Sequence, residues 1–167
     1  MDEKIRIENH INSLNKLFNY LNKDIEVFKN LYGIPIKSEI LETIEDDDNL
    51  RRLVASITSD FSKAQAILGE KLFKEILYFT DEINDKNISF FEILSILEKL
   101  SIIKNRLEWK QVKEIRNNIA HEYPDEVDKL ADNLNLIFEK VAFLENSFKK
   151  IKEFYERNCK FIEINKN

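Results

Sequence analysis

Within the run Glu114-Ile115-Arg116-Asn117-Asn118-Ile119-Ala120-His121-Glu122-Tyr123-Pro124, an arginine, a histidine and a tyrosine stand close together just ahead of a proline. Their chemistries are complementary. Histidine both takes and gives a proton near neutral pH, whereas arginine stays charged and offers a rigid fork of donors matched to phosphate oxygens. The spacing therefore suits a site that handles a phosphate. On an α-helix Asn117 and His121, four apart, share a face, while Arg116 and His121 diverge by roughly 140° at about 100° per residue. Tyr123 would fall about 20° from Arg116 if the helix ran that far. Convergence of Arg116 with His121 then needs the arginine's long reach, a loosened last turn ahead of Pro124, or a second copy of the motif across a dimer axis. Taken singly, the same residues suit a histidine C-cap and a surface ion pair from Arg116 to a neighbour such as Glu114.

The elements that would position these residues are long amphipathic helices. Ile7, Ile11, Leu14, Phe18, Leu21, Ile25 and Phe28 recur at steps of four and three, which predicts one helix over 2–31. Gly33 and Pro35 end it, and Ser38 is placed to cap a short helix reaching about Glu45. Leu50, Val54, Ile57, Phe61, Ala64, Leu68, Leu72, Ile76 and Phe79 predict a second long helix over 48–82. The Glu45-Asp46-Asp47-Asp48 run suits a cap and a solvated turn at its start. Ser89-Phe90-Phe91-Glu92 has the form of a capping box and opens a third helix. Asn105 caps its continuation, which carries Leu107, Val112, Ile115 and Ile119 inward and ends in the motif. Asp125 is positioned to cap a last helix with a seam from Val127 to Tyr155. Trp109 falls off the apolar step and is expected to pack, at a helix junction or at a dimer contact. His10 flanks the first seam and is expected to be structural.

Composition supports an all-α chain. The 167 residues include only two glycines and two prolines, too few for a hairpin-rich fold, and 43% are hydrophobic, enough for a core without disulfides or metals. The expectation is a single domain over 1–167, an up-and-down four-helix bundle with extra short helices. Cys159 is alone and no Cys/His cluster has zinc-site spacing, so no metal or cofactor is assigned. No apolar signal core or membrane-length run interrupts the amphipathic pattern, so a cytoplasmic protein with no membrane contact is expected.

Arg116-Asn117-x-x-x-His121-x-Tyr123 resembles the Arg-x4-His-x-Tyr motif of HEPN-domain proteins, in particular HepT-type toxins paired with a minimal nucleotidyltransferase antitoxin. The resemblance implies an all-helical fold, a homodimer that brings two motifs to one cleft, and metal-independent endoribonuclease activity on RNA. It implies Arg116 and His121 as catalytic residues and Asn117 as a phosphate-orienting partner. It also implies that Tyr123 is the tyrosine the nucleotidyltransferase adenylylates to silence the toxin. Some HEPN domains instead bind nucleotides or a nucleotidyltransferase without cutting RNA, and that is the alternative function.

Charge divides these readings. A net charge of −5 and a pI near 5.3 weaken sequence-independent binding to polyphosphate. Lys104, Arg106, Lys110, Lys113 and Arg116 nevertheless crowd the helix leading into the motif, opposed there by Glu108 and Glu114. Two such helices in a dimer would concentrate positive potential in one cleft. Lys149, Lys150, Lys152 and Arg157 are expected to serve the negative end of the last helix dipole.

Overall fold

The computed structural model describes residues 2–120 and 126–164. Every regular element among them is helical. The first, α1 (Glu3–Tyr32), starts where Asp2 accepts a bond from the Lys4 amide and keeps Ile7, Ile11, Leu14, Phe18, Leu21 and Phe28 inside. Gly33 ends it at φ +80, a backbone conformation that costs glycine little, and its amide donates to the Lys29 carbonyl at 3.0 Å. The short α2 (Ser38–Leu41) stops four residues before the expected Glu45, and isolated turns follow it. Ser38 does not cap it: its hydroxyl reaches Asp128 at 2.5 Å. The preceding segment is clamped instead by Asn135, whose amide oxygen accepts from the Ile36 amide at 2.8 Å while its nitrogen donates to the Ile36 carbonyl at 3.0 Å.

The cap at the acidic run is Asp47, which accepts from the amides of Asn49 and Leu50 at 3.0 Å and opens α3 (Asp48–Gln65). The Leu50 amide, followed by the Tyr32 hydroxyl, holds the Asp47 carboxyl below its ordinary range. The chain then passes through a π-helical segment, Ala66–Leu72, into α4 (Phe73–Phe79), so the long second helix is real but is not uniformly α. It ends at Phe79 rather than 82, in a turn where Asp81 takes φ +56.

The capping box at Ser89 is formed in full. The Glu92 amide donates to Ser89 Oγ at 3.2 Å, the Ser89 amide donates to the Glu92 carboxylate at 2.9 Å, and α5 (Phe90–Lys99) follows. A break with Ser101 at φ +57 separates it from α6 (Arg106–Ala120), where Asn105 accepts from the Leu107 amide at 2.8 Å. The last element is α7 (Val127–Ile164). The cap expected at Asp125 lies outside the described residues. Because α7 runs to Ile164, Lys149, Lys150, Lys152 and Arg157 all stand ahead of the last turn, where a dipole contribution is felt. Lys150 reaches the Ser101 carbonyl at 3.4 Å and Lys152 pairs with Glu156 at 3.9 Å.

The arrangement is a helical bundle. Contacts run from α1 to α3, α3 to α6, α6 to α7 and α7 back to α1, with α5 against α6 and α2 against α7. Their buried apolar residues form one hydrophobic cluster. Phe61 and Phe148 lie inside it and Phe79 packs on it, as their helical step predicts. Leu107 is a correction: it is 58% exposed, and Trp109 takes the inward position in the first turns of α6. No helix among the described residues is long and apolar enough to cross a membrane.

Candidate functional site

The C-terminal turns of α6 carry the described part of the motif. Val112 and Ile115 are buried against the core and Ile119 packs on it, which turns Lys113 and Asn117 outward on a shared face and leaves Arg116 half-buried at the edge. Arg116 does not pair with its neighbour Glu114. Its Nη1 crosses to the second long helix, where it forms an ion pair with Glu70 and donates to Gln65 Oε1 at 3.3 Å. Gln65 is 1% exposed, so a buried amide and a carboxylate together fix the guanidinium. Both contacts use a single terminal nitrogen. Of the five donors on a guanidinium, those on Nε and Nη2 have no partner among the described residues. His121 and Tyr123 lie outside the described residues, so only Arg116 and Asn117 of the four motif residues have a place in this geometry.

The register of Gln65 and Glu70 depends on the π-helical segment. The apolar seam of the second helix advances Ala64, Leu68, Leu72, Ile76 in strict steps of four. In an α-helix each such step overshoots a turn by about 40°, and three of them would carry the stripe some 120° round the axis. A π turn closes i to i+5 and holds more residues, so it absorbs the overshoot and keeps all four against the core. Gln65 and Gly69 share that buried face, and Glu70 emerges beside it.

Trp109 is the packing partner of this segment. It is 0% exposed and meets Phe73 edge-on at 5.0 Å between ring centroids, with Phe90 at 6.2 Å and Phe143 at 6.1 Å. A Cβ built on Gly69 would stand 2.9 Å from Trp109 Cζ3 and 3.3 Å from Gln65 Nε2, so glycine is what lets the ring lie against the helix. Trp109 therefore packs at a helix junction, as its departure from the seam suggests.

Beside Arg116 a cleft of about 240 Å³ opens between the π-helical segment, α4, α5 and α6. Gln65, Gly69 and Glu70 form one wall, Phe90 and Ile93 another, and Lys74 and Lys113 its charged lining. Lys113 Nζ stands 5.7 Å from the Phe90 ring centroid. Of the other basic residues of α6, Arg106 is engaged locally, with Nη1 donating to Ser95 Oγ at 3.0 Å and its guanidinium 4.9 Å above Phe91. A larger, more open groove of about 440 Å³ runs between α1 and α7 past Asn15, Asn19, Asn22 and Glu145, and neither Arg116 nor Asn117, the described motif residues, lines it.

His10 sits beside an ion pair, with Nδ1 2.7 Å from Glu75 Oε2 while Arg6 Nε meets Glu75 Oε1 at 3.0 Å. Among the described residues no cluster of three or more His, Cys, Asp or Glu side chains is arranged to hold a metal ion.

Gln65, Gly69, Glu70 and Lys74, which line the cleft, lie far from the motif in sequence. The one signal for them was Gly69, an isolated glycine inside a helical pattern, which usually marks close packing. Comparison with known proteins adds no relative: no protein-family profile, no curated protein and no solved structure matches this chain.

Proposed function

We propose that the chain is the toxin of a toxin-antitoxin pair, a metal-independent endoribonuclease acting as a cytoplasmic homodimer. The observation that carries this reading is the anchoring of Arg116 at the last described turns of α6. Its guanidinium is held by Gln65 and Glu70 with donors to spare, five residues ahead of His121 and next to exposed Asn117. In the reaction, the ribose 2′-oxygen attacks the adjacent phosphorus and the bond to the 5′-oxygen breaks. The products are a 2′,3′-cyclic phosphate and a 5′-hydroxyl. His121 takes the 2′-hydroxyl proton as general base, and the leaving oxygen gains a proton from solvent or from His121 of the second copy. Arg116 neutralises the charge that grows on the phosphoryl oxygens, and Asn117 orients the phosphate. RNA supplies its own nucleophile, so the step calls for no metal-activated water.

The test is induced expression of the wild-type chain and His121→Ala, with growth and total RNA followed together. The expected result is arrest and new RNA fragments with the wild type alone. Harmless expression of both at equal folded levels rejects the ribonuclease reading. A second reading, a HEPN module that binds a nucleotide or a nucleotidyltransferase without cutting, draws support from the net charge of −5 and from the carboxylate already on Arg116.

Under the toxin reading Tyr123 is the control point. Adenylylation would place a charged phosphodiester near Arg116, where it competes with substrate for the guanidinium. Incubation with a cognate minimal nucleotidyltransferase and ATP is expected to add the mass of AMP at Tyr123 and to end cleavage. Loss of toxicity with Tyr123 unmodified counts against this control.

A further inference from the structure

We infer that the cleft between the π-helical segment and α5 binds one nucleotide unit, its base against Phe90 and its phosphate between Lys74, Lys113 and Arg116. The inference deepens the ribonuclease reading, in which this unit neighbours the scissile phosphate, and the cleft's chemistry also holds without it.

Three observations converge on the cleft. Its lining is mixed, with Phe90, Ile88 and Ile93 on one side and polar Gln65 and Glu70 on the other, as a flat aromatic ligand with a polar edge requires. Its volume of about 240 Å³ is below the usual range for drug-sized ligands, which suits a single base and not a longer segment. Its charge is unbalanced. Lys74 and Lys113 have no ion pair among the described residues, and Arg116 Nη1 touches two lining residues, so three cations meet a single carboxylate, Glu70.

That carboxylate has a defined part. Glu70 occupies Arg116 in the unliganded chain, and an incoming phosphate must compete with it for the guanidinium. Glu70 is then a positioning residue: it holds Arg116 toward the cleft and lowers the affinity for phosphate. Lys113 and Arg116 are three apart on α6, so a backbone running from the cleft along that face reaches Asn117 next.

The experiment measures binding, which cleavage cannot confuse. A fluorescein-labelled 2′-O-methyl hexaribonucleotide, which has no free 2′-hydroxyl to attack, is titrated into the wild type, Lys74→Gln/Lys113→Gln and Glu70→Gln, with AMP titrated in parallel. Circular dichroism checks that each variant is folded. The double lysine variant is expected to bind roughly tenfold more weakly and to lose about 0.7 of salt slope per lysine removed. Glu70→Gln is expected to bind severalfold more tightly. Equal affinity and equal salt slope in the wild type and the double lysine variant overturn the inference, as does a wild type that binds neither probe. Lysine-dependent binding by a wild type that leaves unmodified RNA intact sinks the ribonuclease reading and keeps the subsite. Lysine-dependent binding of AMP without the hexamer keeps it as a site for free nucleotide.

Discussion

Arg116→Ala is expected to lower RNA cleavage by about a hundredfold or more while leaving the far-ultraviolet circular dichroism of the bundle unchanged. The two effects separate because the arginine's structural contribution is small. Its side chain is 33% exposed and that of Glu70 is 50% exposed, so solvent screens the pair and its loss costs well under about 1 kcal/mol. The contact with Gln65 counts for somewhat more, because that amide is otherwise buried. Yet Gln65 lines the cleft, and water there can take over its carbonyl oxygen. The chemical loss has two parts. The guanidinium that would neutralise the developing charge is gone, and Glu70 is left as a bare carboxylate facing the same phosphate. Arg116→Ala/Glu70→Ala is therefore expected to recover substrate binding without recovering cleavage. Arg116→Lys is expected to retain binding but only part of the rate, since an ammonium cannot contact Glu70 and two phosphate oxygens in one plane. Cleavage by Arg116→Ala at the wild-type rate, at equal folded concentration, would remove Arg116 from the proposed machinery.

The bundle was readable because its determinants are local and repeated. The seam from Ile7 to Phe28, the Ser89 capping box and the Asn105 cap each depend on residues a few positions apart, and each forms as its spacing predicts. What the sequence hid is long-range. Nothing near Arg116 names Glu70, because their meeting is set by how α6 crosses the second helix, and Glu114, though close in sequence, is two residues away and points to another side of α6. Ser38 departs from its expected cap for the same reason. A serine ahead of a short helix looks like a cap, but Asp128 on α7 draws its hydroxyl away. Leu107 faces solvent although its spacing pointed inward, because two apolar residues two apart cannot both face the core and Trp109 packs there. The larger ring, filling the space over Gly69, won the position. The π-helical segment was the one irregularity written into the periodicity. Three consecutive steps of four at Ala64, Leu68, Leu72 and Ile76 exceed what a straight α-helix keeps on one face.

The Trp109 and Gly69 contact yields the largest expected change in stability. Trp109→Ala would empty a fully buried site bounded by Phe73, Phe90 and Phe143, at a cost of about 3–5 kcal/mol. For a chain of this size that lowers the thermal midpoint by on the order of 10 °C. Gly69→Ala is the sharper test, because helix propensity and packing predict opposite signs. Replacing an interior helical glycine with alanine ordinarily gains close to 1 kcal/mol. Here the new methyl would stand 2.9 Å from Trp109 Cζ3, and a buried ring wedged among three other rings cannot swing aside as the end of a flexible side chain would. Overpacking of this kind costs about 1–3 kcal/mol, so packing outweighs propensity and Gly69→Ala is expected to destabilise. Trp109→Phe in the same chain removes the atom that clashes. The double variant should consequently be more stable than the sum of the two single changes, by roughly 1 kcal/mol of coupling in a denaturant-unfolding cycle. A Gly69→Ala chain that melts above the wild type would mean that the ring yields freely. A destabilised single variant rescued by Trp109→Phe would identify the contact between Trp109 and the π-helical segment as what requires glycine at position 69.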